Sequence, residues 1–258
     1  MITIKAKKEI RAMREGGQIL AKIMDELERK IATGISTQEL NKLAEELVFA
    51  SGGTPSFKGY GKDMGNPFPA TLCTSINSEI VHGIPSEKVI LKEGDVLNID
   101  IGMCYRGFHS DMARTFGVGK ITAAAQKLID VTRQSFWEGI KNLSAGKMLS
   151  QYSKAVQNYV EKNGFSVVRN LVGHGIGKNL HEDPSVPNFY NKKYNDVQLV
   201  AGITLALEPM VNEGTYETVL GSDGWVFKTK DGKLAAHYEN TILITKKGVE
   251  VLTIHPME

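Results

Sequence analysis

The chain has 258 residues, 41% of them hydrophobic and 23% charged, with a formal net charge of +2; such a chain buries most of its apolar surface, in one large domain or two half-sized lobes. The near-neutral charge argues against a dedicated nucleic-acid or membrane partner, and two cysteines, Cys73 and Cys104, are too few for a disulfide framework and suit a reducing compartment. The basic opening MITIKAKKEIRAMREGG lacks the continuous apolar stretch of a secretory signal, and no apolar run approaches the roughly 18 residues that span a bilayer, so the cytoplasm is the expected location.

The first segment is helical, because Ile10, Met13, Leu20, Met24, Leu27 and Ile31 recur at spacings that draw one apolar stripe. A second helix starts at Ser36, with Glu39 three residues on as a capping box and Leu40, Leu43, Leu47 and Val48 as its buried face; Gly52 and Gly53 end it. Residues 54–70, rich in Gly, Pro and Lys, read as a long loop, and long ordered loops are often functional. Four β-like runs follow: Ala70–Thr74, Lys88–Leu91, Val96–Gly102 and Phe108–Phe116. Two helices are predicted near 122–143 and 150–163, the second stopped by Gly164. Beyond Val167 the chain turns strand-like near 203–210, 225–230, 234–244 and 249–253, with Asp231-Gly232 as a hairpin signal between two of these.

Both halves run helices first and then a glycine-led strand ending in a carboxylate. Gly94-Asp-Val-Leu-Asn-Ile-Asp100 is similar to Gly202-Ile-Thr-Leu-Ala-Leu-Glu208, and a second acid follows each, Asp111 in the first half and Glu239 in the second. This is the pattern of two similar α+β lobes sharing one sheet, although any two buried strands look somewhat alike. Asp100 is the sharpest anomaly: a charge inside an apolar strand is expensive to bury. A bound cation resolves the cost, and so does a salt bridge or an edge position. With a hairpin centred between Tyr105 and Arg106, Asp100 lies opposite Asp111, and two carboxylates that close repel unless a cation sits between them. Glu208 ends an apolar strand just before Pro209, which donates no ladder hydrogen bond, and Glu239 lies in an alternating strand. His174 stands in the glycine-packed Gly173-His-Gly-Ile-Gly177, where imidazole is a common metal ligand and glycines permit close approach. His82 lies in the tight turn Val81-His-Gly-Ile-Pro85, and His181 in Leu180-His-Glu-Asp-Pro184; either alone is more often a structural residue.

Taken together, His82-Gly-Ile-Pro, Asn98-Ile-Asp100, His109-Ser-Asp111, Gly173-His174-Gly-Ile-Gly, His181-Glu-Asp-Pro, Leu207-Glu208-Pro-Met and Tyr238-Glu239-Asn-Thr resemble, in order and over essentially the whole chain, the type I methionine aminopeptidases of the bacterial kind. The resemblance implies the α+β pita-bread fold, with two pseudo-symmetric α/β halves, a curved, mainly antiparallel central sheet and helices on its outer face. It implies a single catalytic domain over 1–258, with halves of about 1–120 and 121–258. It implies two divalent metal ions, Mn, Fe, Co or Zn. Asp100 resembles the bidentate ligand of the first, Asp111 and Glu239 the bridging ligands, and His174 and Glu208 the ligands of the second. Glu208, His181 and His82 are then the catalytic side chains, and His82, His181, Cys73, Phe68 and Trp225 contact the substrate. Phe68 stands where the family usually has Tyr, and Pro67 where Gly is common, so a hydroxyl contact in the pocket is missing. The implied activity is removal of the N-terminal methionine from nascent proteins with a small second residue, by metal-activated water. The implied partners are nascent N-termini met by a cytoplasmic monomer, with room for a transient ribosome association, no membrane and no direct nucleic-acid recognition. An Xaa-Pro aminopeptidase and a non-catalytic binding protein on the same fold are the alternatives; the first usually carries an added N-terminal domain, and the second typically loses ligands.

Overall fold

The computed structural model describes residues 2–193 and 196–254. Helix α1 spans Lys7–Lys30 and buries Met13, Leu20, Met24 and Leu27 along the predicted stripe. The Glu9 carboxylate accepts the Ala6 N–H at 2.8 Å, and Arg29 and Lys30 oppose the dipole at the other end. Helix α2 spans Thr37–Ala50. Ser36 Oγ accepts the Glu39 N–H at 3.2 Å while the Glu39 carboxylate accepts the Ser36 N–H at 2.8 Å, so the predicted capping box is formed. Gly52, at φ 80°, turns the chain out of the helix.

Five strands complete the first half: β1 (Thr54–Pro55), β2 (Leu72–Ile76), β3 (Glu79–Val81), β4 (Val96–Tyr105) and β5 (Phe108–Gly117). Apart from β1 and a 3-10 turn at Lys62–Met64, residues 54–70 are irregular as predicted. The run Lys88–Leu91 is not a strand. It makes one isolated bridge, Ser36 to Ile90, and braces the start of α2 by hydrogen bonds from Thr37 N–H to Val89 O and from Leu91 N–H to Ile35 O. Only Leu91 of its apolar residues is buried, so it has no sheet face to offer. The β4–β5 register also differs from the expected one. The turn is centred between Arg106 and Gly107, both with positive φ (50° and 80°), the backbone demanded by a two-residue type I′ connection. Asp100 therefore opposes Ala113, and Asp111 opposes Gly102. The two acids still share a face, but as diagonal neighbours.

Helices α3 (Ala123–Ile140) and α4 (Ser150–Lys162) open the second half. Ten short strands follow among the described residues: β6 (Ser166–Val167), β7 (Val172–Gly175), β8 (Glu182–Pro187), β9 (Thr204–Leu207), β10 (Met210–Asn212), β11 (Thr218–Leu220), β12 (Phe227–Thr229), β13 (Ala235–His237), β14 (Glu239–Ile244) and β15 (Val249–Val251). The Asp231-Gly232 turn exists, with Gly232 at φ 73°, but it does not close a hairpin. Asp231 Oδ2 is drawn to the Thr215 N–H at 2.8 Å, and the strands on either side enter different sheets, β12 pairing with β11 and β3 and β13 with β10.

The large sheet runs β1-β4-β5-β14-β9-β7-β8, with β2 on β4 and β15 on β14, and its pairings among the described residues are all antiparallel. Its centre joins two hairpin-like pairs, β4–β5 and β14–β9. Gly94 and Gly202, the glycines that lead β4 and β9, both have positive φ (92° and 98°), and each donates its N–H to the residue ending or following the partner strand, Val118 and Ile244. Alternation then sorts the side chains. Leu97, Ile99, Ile101 and Met112 pack with Leu20, Leu27 and Leu40 of α1 and α2. Leu205, Leu207, Ile242 and Ile244 pack with Leu128, Phe136, Tyr152 and Val156 of α3 and α4. One sheet face is thus covered by helices, and the residues between these apolar positions face the other way. Ser36→Ala should cost about 1 kcal/mol through the lost cap, lowering the midpoint of thermal unfolding by about 2–4 °C for a chain of this size; an unchanged midpoint contradicts the capping assignment.

Candidate active site

The uncovered sheet face carries the acids. Asp100 on β4, Ala113 on β5 and Glu239 on β14 stand in one cross-strand row, and Glu208 follows the end of β9 beside it. Asp111 lies two residues before Ala113 on the same strand. The small Ala113 side chain leaves space between the acids flanking it. Thr241 fixes Asp111 through the backbone: its Oγ1 accepts the Asp111 N–H at 2.8 Å.

These residues line a cavity of about 110 Å³, together with His82, His174, His181, Cys73, Phe68 and Trp225. Every residue selected from the sequence is therefore brought to one place. Phe57, Tyr60 and Leu180 line it too, and none was expected from the sequence. His174 reaches the cavity because β7 squeezes between β8 and β9. A Cβ at Gly173 would lie 2.5 Å from Ala206 O, and one at Gly175 would lie 2.1 Å from Asp183 O. His174 Nδ1 hydrogen-bonds Gly175 O at 2.8 Å, which leaves Nε2 facing Glu208 Oε1 at 3.7 Å. His82 sits in the left-handed region at φ 61°, and Gly83 must be glycine because a Cβ would meet Thr74 O at 2.1 Å. Residues in that region cluster where the surrounding structure holds them for a purpose. The His82 ring packs against Trp225 and Phe227, with centroids 6.3 and 6.1 Å away. His181 stacks edge-on to His174 at 4.2 Å, and its Nδ1 meets the Tyr60 hydroxyl at 2.6 Å. Phe68 and Trp225 pack edge to face at 5.3 Å and form the apolar wall with Cys73.

Electrostatics set the site apart from the rest of the core. Burial, Asp111 and Glu208 hold the Asp100 carboxyl well above the usual carboxylate range, and burial lifts Asp111 to about 7. Glu208 and Glu239 are raised by burial and by neighbouring acids, Asp111 first. Burial lowers His82 and brings His174 to about 4 and His181 to about 3, so these imidazoles are neutral at pH 7. Cys73 is pushed well up by burial and by Asp100, which makes it a soft apolar wall and not a nucleophile. Asp100 Oδ1, Asp111 Oδ1 and Glu239 Oε1 are buried without a hydrogen-bond partner. Orphaned oxygens on crowded carboxylates fit a divalent cation, which satisfies them and cancels their repulsion. Ligand atoms of Asp111, His174 and Glu239 lie within 4.8 Å of one another, and so do those of Glu208, His237 and Glu239. His237 was missed from the sequence. It precedes Glu239 by two residues, and the strand alternation that singled out Glu239 was the signal for it. Tyr60 lies in an irregular loop with no periodicity to mark it.

A pH dependence follows with a definite sign. The four carboxylates have folded-state pKa values raised above their unfolded ones, so they stabilise the metal-free fold at low pH and lose that contribution as pH rises through the folded values. The depressed histidines act in the opposite sense below their ordinary 6.5 and are silent above it. Metal-free protein should therefore unfold at a lower temperature at pH 8.5 than at pH 6.5, with the difference removed by added divalent metal. Equal midpoints with and without chelator would contradict this.

Residues 11–246 match metallopeptidase family M24. A methionine aminopeptidase of Clostridium perfringens is 50% identical to the chain over 255 residues, covering 98% of this chain and 99% of that one. The crystal structure of a methionine aminopeptidase from Thermotoga maritima superposes with a TM-score of 0.93 at 40% identity, covering 98% of this chain and 99% of the other. An Xaa-Pro dipeptidase from Bacillus anthracis shares the fold at a TM-score of 0.77 and 23% identity, and this chain covers 63% of its length. The chain belongs to metallopeptidase family M24, among its methionine aminopeptidases.

Proposed function

We propose that the chain removes the N-terminal methionine from nascent proteins whose second residue is small, in a single catalytic domain over residues 1–258 whose halves, about 1–120 and 121–258, each contribute acids to the site. The observation that carries this is the coincidence, in one 110 Å³ cavity, of four carboxylates and three histidines with the aromatic wall of Phe68 and Trp225.

Asp100, Asp111, His174, Glu208 and Glu239 would hold two divalent ions, as the family resemblance implies. The metal is Mn, Fe, Co or Zn, since mixed carboxylate and imidazole donors admit all four. When bound, it supplies an acidified water and Lewis-acid polarisation of the scissile carbonyl. The protein side chains do the rest. Glu208, at the edge of the cluster, takes the proton from the attacking water and delivers it to the leaving amide nitrogen as the C–N bond breaks. His181 is neutral, and its Nδ1 is engaged by Tyr60. Its Nε2 is then free to hydrogen-bond the carbonyl oxygen as charge develops there. The His82 ring hydrogen-bonds the Trp225 backbone, which orients its other nitrogen toward the substrate's backbone N–H. Phe68, Cys73 and Trp225 offer polarizable apolar walls suited to a thioether side chain. Phe68 has no hydroxyl, so the wall selects by shape and polarizability.

No helix among the described residues is long and apolar enough to cross a membrane. We place the chain's work in the cytoplasm, as a monomer acting on nascent N-termini with transient ribosome association.

Hydrolysis of Met-Ala-Ser should exceed that of Xaa-Pro peptides; the reverse preference would overturn the reading in favour of an Xaa-Pro peptidase. His181→Ala should lower kcat by about 10²–10³-fold, the scale for one transition-state donor, with metal content unchanged. Asp100→Ala should abolish turnover together with binding of one ion while the chain stays folded. If Asp100→Ala kept both activity and metal, the ligand assignment would be wrong.

A further inference from the structure

Among residues 2–8 only Lys5 is buried, and lysine is almost never found inside a protein unless it is paired. Its N–H donates to Gly202 O at 2.8 Å, which fixes the segment ahead of α1 beside the glycine that leads β9. Its ammonium reaches Glu182 Oε2 at 2.7 Å, with the two side chains 6% and 7% exposed. Thr3 Oγ1 donates to the same oxygen at 2.6 Å and accepts from Lys5 Nζ. The other oxygen, Glu182 Oε1, accepts the Asn179 N–H at 3.2 Å. Burial works against the Glu182 charge, but these donors outweigh it and hold the carboxyl below its usual range.

Glu182 opens β8 and directly follows His181 in the chain. The connection from β7 to β8 covers 176–181, and Lys178, Asn179 and His181 within it are exposed, so core packing fixes little of its path. Glu182 spans it instead, tying the backbone two residues before His181 to the residue after it. From the other side, the Gly177 N–H donates to Asn179 O at 3.1 Å, and Gly177 O accepts the His109 N–H at 2.7 Å. A Cβ at Gly177 would lie 2.5 Å from Lys5 Cε and 2.7 Å from Glu182 Oε1, so the connection is folded directly onto the ion pair. Neither Lys5 nor Glu182 lines the cavity.

We propose that Lys5 and Glu182 are positioning residues, whose buried ion pair holds the 176–181 connection so that the His181 imidazole points at the scissile carbonyl. The inference rests on the proposed function and extends its machinery to the segment ahead of α1. Removing one partner of a buried pair leaves the other charge uncompensated, and here the uncompensated charge is next to His181. A misplacement of about 1 Å at a reacting group costs on the order of 100-fold in rate.

The test is a double-mutant cycle on metal-loaded protein, read as kcat and KM for Met-Ala-Ser. Lys5→Met should lower kcat at least about tenfold with KM and metal content unchanged, and Lys5→Arg, which keeps the charge, should restore most of the loss. In a His181→Ala background the same Lys5→Met substitution should change kcat less than about twofold, because no imidazole is left to misplace. Glu182→Gln, which keeps the size of the side chain, serves for the cycle if Lys5→Met fails to fold. An equal loss of kcat with and without His181 would overturn the inference, since the pair would then act on the fold at large; so would full activity of Lys5→Met or a loss explained by lost metal. Failure of the wild type to hydrolyse Met-Ala-Ser would instead overturn the proposed function.

Discussion

Mutual repulsion among three buried carboxylates and a fourth, half-buried one is the constraint around which this molecule is organised. Asp100, Asp111 and Glu239 are each less than a tenth exposed, and Glu208 joins them in the same small cavity. Burial alone disfavours each charge, and each raises the pKa of its neighbours. A cluster of this kind persists in a folded chain only if protons or cations balance it. The three orphaned oxygens distinguish it from a core acid satisfied by hydrogen bonds, since they have nothing within the protein to bind.

The fold delivers the cluster by a simple device. Antiparallel strands bring distant segments within one strand spacing, and alternation turns every second side chain to the same face. Helices α1 to α4 cover one face with aliphatic contacts, which frees the other for polar chemistry. Strands β4, β5, β14 and β9 then line up acids from both ends of the sequence, with Ala113 as the small residue between two of them. Glycines beside His82 and His174 let backbone approach backbone where any Cβ would collide, so the imidazoles enter from segments packed tightly on the sheet.

Much of this was legible in the residues. Asp100 and Glu239 stood out because a charge contradicts an apolar strand, and His174 because glycines surround it. The two acids of the first hairpin were expected to face each other directly; they are diagonal because Arg106 and Gly107 adopt the tight turn that strand twist favours, a choice that the apolar pattern of the strands does not encode. Lys88–Leu91 has the composition of a strand but finds no partner, since Ser36 and Thr37 claim its backbone. Strands β3 and β8 are too short or too interrupted by proline to show a period. Tyr60 acts through a contact with His181, more than 100 residues away in the chain, and such a pair leaves no local trace.

Because the acids are raised in the metal-free protein, a metal ion has to displace the protons they hold. Calorimetric titration of chelator-treated protein with cobalt(II) or manganese(II) at pH 7, repeated in buffers of different ionisation enthalpy, counts those protons directly. Binding of two ions with net proton release is the expected result. Absence of binding, or binding with no proton released, would contradict the account that metal resolves the repulsion of Asp100, Asp111, Glu208 and Glu239.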